Sequence, residues 1–465
     1  MGPSFLGGGG TVTTTVETVL RENGTDAGGR DGFLDTVRAI AIVRVIVWHA
    51  FGFAAISYFV AAVPAMFFVS GSLIAGSLDR RAVRAVFSDR LRRLLVPFWV
   101  FGAVAFVVMV SAYATRPGSN TVLHWWQPIF WIAPIVYPTG SHWQGGWLSA
   151  SLWYVSILLW LIFLGPMLLR AVRRRPRLCF AVSVGWVFVL GVPARGETTH
   201  AQMGLGALAN LGLFVTMFML GFLHHDGFFA RFGRRTRIGA CAGFALGAAA
   251  WCITQPVPFH VVNYSAVAQL LVGLTWLSFA LACEPTLARV PAMPRIGPCV
   301  TWLTQRSMTI YLWHTTAIIL AYQLLWKLDW SLPWGGFVVL LLAFTAVFVA
   351  CLTVLFGWAE DLGARRAPRL WPSTRRTVPV PVSVPVPVPR TSRQWRPAIA
   401  FLAAFNVLVI AGSLVVSDTK PGAHHDQTLS PEMPESSEAR EGPASRSHEG
   451  ATKTEVIPAR SASRR

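Results

Sequence analysis

An all-α integral membrane protein is what this sequence predicts, with a ten-helix transmembrane unit and one additional C-terminal transmembrane helix. Three observations carry that expectation. Hydrophobic residues make up 54% of the 465 positions and charged residues only 13%, about half of the ~25% charge usual in soluble domains. The apolar residues run in repeated stretches of roughly twenty, the length a helix needs to cross a ~30 Å hydrocarbon core. Basic residues gather in every second connection between those stretches, as membrane topology requires. A soluble enzyme, a secreted disulfide scaffold and a fibrous protein are excluded.

The elements follow in order. Residues 1–30 are rich in Gly and Thr and read as a disordered cytoplasmic tail. The expected spans are 36–58, 60–78, 95–113, 151–169, 178–194, 205–223, 238–255, 265–283, 307–326, 334–357 and 398–416. The connections after the second, fourth, sixth, eighth and tenth spans hold 26 basic residues, and the alternate ones hold Arg116, Arg195 and Lys327. That asymmetry places the N-terminus in the cytoplasm and the C-terminal tail outside, in a multi-pass protein of the plasma membrane. Residues 31–357 form the ten-span unit. Residues 358–397 read as a cytoplasmic Pro/Arg-rich linker, since 378–390 alternates Val and Pro in a polyproline II-like pattern. Residues 417–465 read as a disordered extracytoplasmic tail, too short for a catalytic domain.

The net charge of +19 is spread over these short connections, so no nucleic-acid partner is expected. Cys179, Cys241, Cys252, Cys283, Cys299 and Cys351 show no CxxC or Cys/His ligand spacing and read as free thiols. His224-His225-Asp226 offers adjacent side chains without a visible third ligand, so no metal is expected.

Ionisable residues inside a bilayer cost several kcal/mol and so point to function. Few are present. Asp35 and Arg38 open the first span, Arg44 and His49 lie within it, and His314 lies in the ninth. The middle of every span is free of Asp and Glu, which counts against a proton- or cation-coupled transporter. Arg38 and His49 are eleven residues apart, three helical turns plus 20°, so they share one face with His49 ~16 Å deeper. Asp35 lies one turn below Arg38 on the same stripe. One reading is a channel from the cytoplasm to a mid-membrane base. The other is an interfacial Arg and a His bonded to a neighbouring helix. Arg90 and Arg93 stand at i and i+3 near the cytoplasmic mouth, suited to phosphate through forked hydrogen bonds, although cytoplasmic segments gather Arg in any case.

Taken together, these residues resemble acyltransferase family 3, bacterial membrane enzymes that transfer acyl groups, often acetyl, onto surface glycans, lipids or small molecules. The resemblance rests on Leu34-Asp35, Arg38 and His49 in the first helix; on Phe67-Phe68-Val69-Ser70-Gly71 in the second; and on Arg90 and Arg93 followed by Pro97-Phe98-Trp99. It continues in Leu152-Trp153-Tyr154 and in Ser307, Tyr311-Leu312 and His314, and covers about residues 30–357. Arg44 departs from it, standing where an apolar residue is expected. So does the short tail after the eleventh span, where fused members often carry a hydrolase-like domain.

The resemblance implies acyl-CoA, acetyl-CoA foremost, as donor substrate, with no bound cofactor and its phosphates near Arg90 and Arg93. It implies His49 as general base or transient acyl carrier, with Arg38 and Asp35 supporting it. Ser70, Trp153, Tyr311 and His314 are the remaining expected substrate-binding residues, Ser70-Gly71 serving also, or only, close helix packing. The acceptor would be a glycan, a lipid or a small molecule. The alternative is a transporter or flippase of lipid-linked or small polar cargo. Trp125, Trp126, Trp131, Trp143 and Trp147, with His124 and His142, fill the long outer loop and suit either a sugar platform or an interfacial aromatic belt.

Overall fold

The computed structural model describes residues 31–369, apart from residue 54 and the stretches 116–127, 139–147, 150, 195–199, 255–260 and 329–332. The expected N-terminal tail, the Val-Pro repeat, the eleventh span, the C-terminal tail and most of the tryptophan-rich loop lie outside the described residues. Among the described residues the fold is helical throughout, without strands.

The long helices are α1 (Gly32–Phe51), α3 (Ala62–Arg80), α4 (Val83–Thr115), α6 (Trp153–Arg174), α7 (Pro176–Gly191), α8 (His200–His225), α9 (Arg234–Ile253), α10 (Ala266–Ala282), α13 (Ser307–Lys327) and α14 (Trp334–Phe356). Short helices α2 (Ala55–Phe59), α5 (Pro128–Ile132), α11 (Glu284–Leu287), α12 (Gly297–Gln305) and α15 (Trp358–Gly363) join or brace them. Each of the first ten expected spans falls on a long helix. Among the described residues, seven helices are long and apolar enough to cross a membrane, eight if the pair broken by a 70° bend after α10 counts as one span. Helix α1 carries Asp35, Arg38 and Arg44, and α7 has only 16 residues, so neither meets the same standard.

Local chemistry sets the boundaries of α1. The Asp31 carboxylate accepts from the Phe33 and Leu34 amides at 2.9 and 3.3 Å, capping the first turn. Gly52, at φ 66°, closes the other end, with its amide donating to the Trp48 carbonyl at 2.7 Å. A left-handed residue of this kind suits glycine and stops a helix. The expected first span of 36–58 is therefore divided: α1 ends at Phe51, and α2 follows as a separate turn.

One end of the bundle gathers the basic helix ends. Arg173 of α6 donates to Asp79 of α3 at 2.8 Å and to Asp226, just after α8, at 2.9 Å, and His225 meets Asp79 at 3.0 Å. At this end Thr36 of α1 also donates to the Leu287 carbonyl at 2.8 Å. Arg306 is 2% exposed and pairs with Asp361 of α15 at 2.8 Å. Residues 358–369, which the sequence assigned to the start of the linker, thus fold back on the foot of α13. A buried charge pair explains why: Arg306 cannot be left without Asp361 and the Gly357 and Arg369 carbonyls, to which it donates at 2.6 Å each.

Helices α3 and α8 approach most closely through glycine. A Cβ on Gly71 would lie 2.0 Å from the Phe218 carbonyl oxygen, and one on Gly221 would lie 2.1 Å from that of Phe68. Small residues let transmembrane backbones come this near. Phe67, Phe68, Phe218 and Phe222 then fill the buried core on either side.

Two predictions arise from these contacts. Gly71→Ala should lower the thermal midpoint of the detergent-purified protein, by the equivalent of about 1–3 kcal/mol for overpacking. Gly185→Ala, where a Cβ meets nothing within 4 Å, should not. The second concerns Glu360, whose carboxylate accepts from the Thr309 hydroxyl at 2.9 Å and its amide at 3.3 Å. Burial pushes this carboxyl up from its ordinary 4.5 to about 7, against the opposing pull of the Thr309 bonds and the Arg306 charge. The folded chain then keeps a proton that the unfolded chain releases between about pH 4.5 and 7, so stability falls as pH rises through that window. Glu360→Gln should leave the midpoint near wild type at pH 4.5 and raise it at pH 8, measured by differential scanning fluorimetry.

Candidate active site

The two intramembrane histidines meet. His49, near the end of α1, and His314, buried in α13, place their rings 4.7 Å apart at 72°, with His49 Nδ1 3.3 Å from His314 Nε2. Each also has Nδ1 against a backbone carbonyl: His49 at 2.9 Å from the Val45 oxygen and His314 at 2.6 Å from that of Tyr311.

A carbonyl only accepts, so in the neutral pair each Nδ1 carries the hydrogen. His314 Nε2 is then an acceptor and takes a share of the His49 Nδ1–H. His49 Nε2 keeps its lone pair. The second histidine and the helix backbone together select the His49 tautomer whose outer nitrogen is basic. A small void lined by Ile42, Val45, Ile46, Met66, Ile310, Tyr311 and His314 lies beside the pair.

An aromatic row connects this pair toward Arg38. The Tyr311 ring lies 5.7 Å from His314 and 5.1 Å from Tyr154. The Tyr311 hydroxyl donates to the Ser151 carbonyl, and Tyr154 shares a hydrogen bond with Ser70. Arg38 is half-buried, close enough for its charge to act on both Tyr154 and Arg90. The expected residues His49, His314, Tyr311, Ser70 and Arg38 thus lie along one row of neighbouring side chains, with Tyr154 between Tyr311 and Ser70.

Others sit differently. Trp153 stacks on Phe214 at 5.5 Å, and its neighbour Tyr154 takes the place beside Tyr311. Asp35 lies in the first turn of α1. Arg90 donates to the Leu73 carbonyl at 3.0 Å and the Ser77 hydroxyl at 2.9 Å, so part of its hydrogen-bonding capacity ties α4 to α3. Arg93, one turn on, is exposed. Trp131 is packed inside, stacked with Phe98 at 6.5 Å, which removes it from any sugar platform. The other loop tryptophans lie outside the described residues.

Sequence reasoning named Tyr154 only as part of a motif and missed its partnership with Tyr311. It also missed Asp79, which joins His225 and Asp226 with ligand atoms within 4.8 Å of one another. The Arg173 guanidinium already bonds both carboxylates there, so a positive charge stands where a cation would have to bind.

The acyltransferase-domain family model matches residues 31–356, taking in every helix from α1 to α14 and the whole histidine site. No curated protein and no solved structure matches the chain. The family match spans most of the sequence, and with it a helical membrane unit built around an acidic–basic–histidine first helix: the chain belongs to acyltransferase family 3.

Proposed function

We propose that this membrane acyltransferase moves an acyl group, acetyl foremost, from cytoplasmic acyl-CoA to a hydroxyl of a glycan, a lipid or a small molecule, with His49 as the base. The observation that carries this reading is the His49–His314 contact, which leaves His49 Nε2 unprotonated inside an apolar bundle. The acceptor hydroxyl gives its proton to His49 Nε2 as its oxygen attacks the thioester carbonyl. The carbon–sulfur bond breaks, CoA leaves as thiolate, and the proton on His49 passes to that sulfur, giving ester and free CoA. The alternative order, in which Nε2 first takes the acyl group and then passes it on, uses the same nitrogen.

Arg38 and Arg90 offer a concentration of positive charge between the histidines and the basic end of the bundle, where the CoA phosphates would enter. Arg93 adds an exposed guanidinium at the mouth. The gathered basic ends of α3, α6 and α8 support a cytoplasmic assignment for that face and, with the alternating charge, a plasma-membrane protein with ten spans in this unit and one beyond it.

His49→Ala should abolish acyl transfer in membranes supplied with labelled acetyl-CoA, by 10²–10⁴-fold for loss of a general base, while protein level stays near wild type. His225→Ala, placed at the Asp79 cluster, should transfer normally. Near-normal transfer by His49→Ala would overturn the mechanism. In the same assay Arg93→Ala should raise the apparent donor KM more than it lowers kcat, by roughly tenfold for one charged hydrogen bond. Arg90→Ala should show that effect together with a lower thermal midpoint, because it also loses its bonds to α3.

A further inference from the structure

Arg44 is a charge that nothing in the reading above employs. It lies in the middle of α1, one turn before Trp48. The Arg44 Nη2 donates to the Ser57 hydroxyl of α2, which in turn donates to Asn263 Oδ1 at 2.8 Å. These partners stand at the end of the bundle opposite the basic helix ends. The guanidinium carbon lies 5.9 Å from the centre of the Trp48 ring. Trp48 stands edge-on to His49 with ring centres 4.8 Å apart.

Two further features single this place out. Arg44 Nε and Trp48 Nε1 are both buried and both without a hydrogen-bond partner. Both are donors only, and buried donors in native proteins are nearly always satisfied. Among the described residues no carboxylate pairs with Arg44: its hydrogen bond goes to a neutral hydroxyl. The outer connections of the ten-span unit hold only two acidic residues, Glu197 and Asp329. A guanidinium within a membrane bundle, lacking a counter-ion among the described residues and flanked by a second unfilled N–H, is arranged for an oxyanion brought by something else.

We propose that Arg44 and Trp48 form the acceptor subsite of this enzyme and bind an anionic group, phosphate or carboxylate, that the acceptor carries near its reacting hydroxyl. This rests on the acyltransferase reading and narrows it: the acceptor is anionic, and it reaches His49 from the side opposite the CoA phosphates. A neutral acceptor would leave the Arg44 charge and the Trp48 N–H uncompensated and would be disfavoured for that reason.

The test uses the full chain in a neutral maltoside detergent, with thermal stabilisation measured against three probes: phosphatidylglycerol, inorganic phosphate and a neutral diacylglycerol. Saturable stabilisation by phosphatidylglycerol alone assigns a lipid-borne anion, and stabilisation by inorganic phosphate assigns a soluble one. In either case Arg44→Gln should weaken it roughly ten- to a hundredfold, and Trp48→Phe, which keeps the ring and removes the N–H, should weaken it less. Trp48→Phe also serves as the test should Arg44→Gln fail to fold. Equal stabilisation by the neutral lipid, no stabilisation by any probe, or an unchanged response in both variants would overturn the proposal. Anion binding and acyl transfer are read separately. Anion binding lost in Arg44→Gln alongside full acyl transfer by His49→Ala would therefore refute the catalytic reading and leave the subsite standing.

Discussion

The hydrogen bond between His49 and His314 fixes how α1 and α13 are turned toward each other, because two imidazoles in an apolar bundle have few other partners to choose from. Each ring is held on its own helix by a backbone carbonyl, so neither can swing away without leaving a buried N–H unmet. The ladder of contacts above and below follows the same pairing of helices. Ala39, Ile42 and Ile310 pack together on one side of it, and Ala50, Ile318 and Ala321 on the other. The Tyr322 hydroxyl donates to the Ala50 carbonyl at 2.7 Å and fastens the two helices again beyond the histidines.

Charge organises the remainder of the molecule. At the basic end, arginines that a hydropathy argument treats as topology markers turn out to be joints. Arg173 bridges α3 to the end of α8, Arg237 meets Glu284 at 2.8 Å, and Arg306 is locked to Asp361. Each joint satisfies a charge near the membrane boundary and fixes the foot of a helix. Arg44 and Arg90 differ, since each is bonded to neutral oxygens: Arg44 to the Ser57 hydroxyl, Arg90 to the Leu73 carbonyl and the Ser77 hydroxyl.

Much of this was legible in the sequence, for identifiable reasons. Apolar runs of nearly twenty residues and alternating basic connections are strong signals, and each of the first ten expected spans overlaps a helix, although the first is cut short at Phe51. Arg38 and His49 stand out because ionisable residues are scarce in such runs. What the sequence concealed depends on contacts between distant segments. No periodicity tells that His314 would reach His49, 265 positions away, or that Tyr154 rather than Trp153 would face Tyr311. The end of α1 was missed because Gly52 is a single residue in an otherwise apolar stretch, and its left-handed conformation is invisible in a hydropathy window. Residues 358–369 read as linker because the partner that folds them back, Arg306, looked like one more cytoplasmic basic residue.

The protonation pattern of the pair is the most direct test of the account. Full-length protein labelled with ¹⁵N-histidine, reconstituted in nanodiscs at neutral pH, has eleven histidines, and a His49→Gln spectrum identifies the two His49 ring nitrogens by difference. The account predicts a protonated Nδ1 and an unprotonated Nε2 in wild type, and in His314→Phe the same tautomer, held by the Val45 carbonyl, with a displaced Nδ1 resonance because one of its two acceptors is gone. A protonated Nε2 with a bare Nδ1 in the wild-type protein, or an unchanged spectrum in His314→Phe, would contradict it.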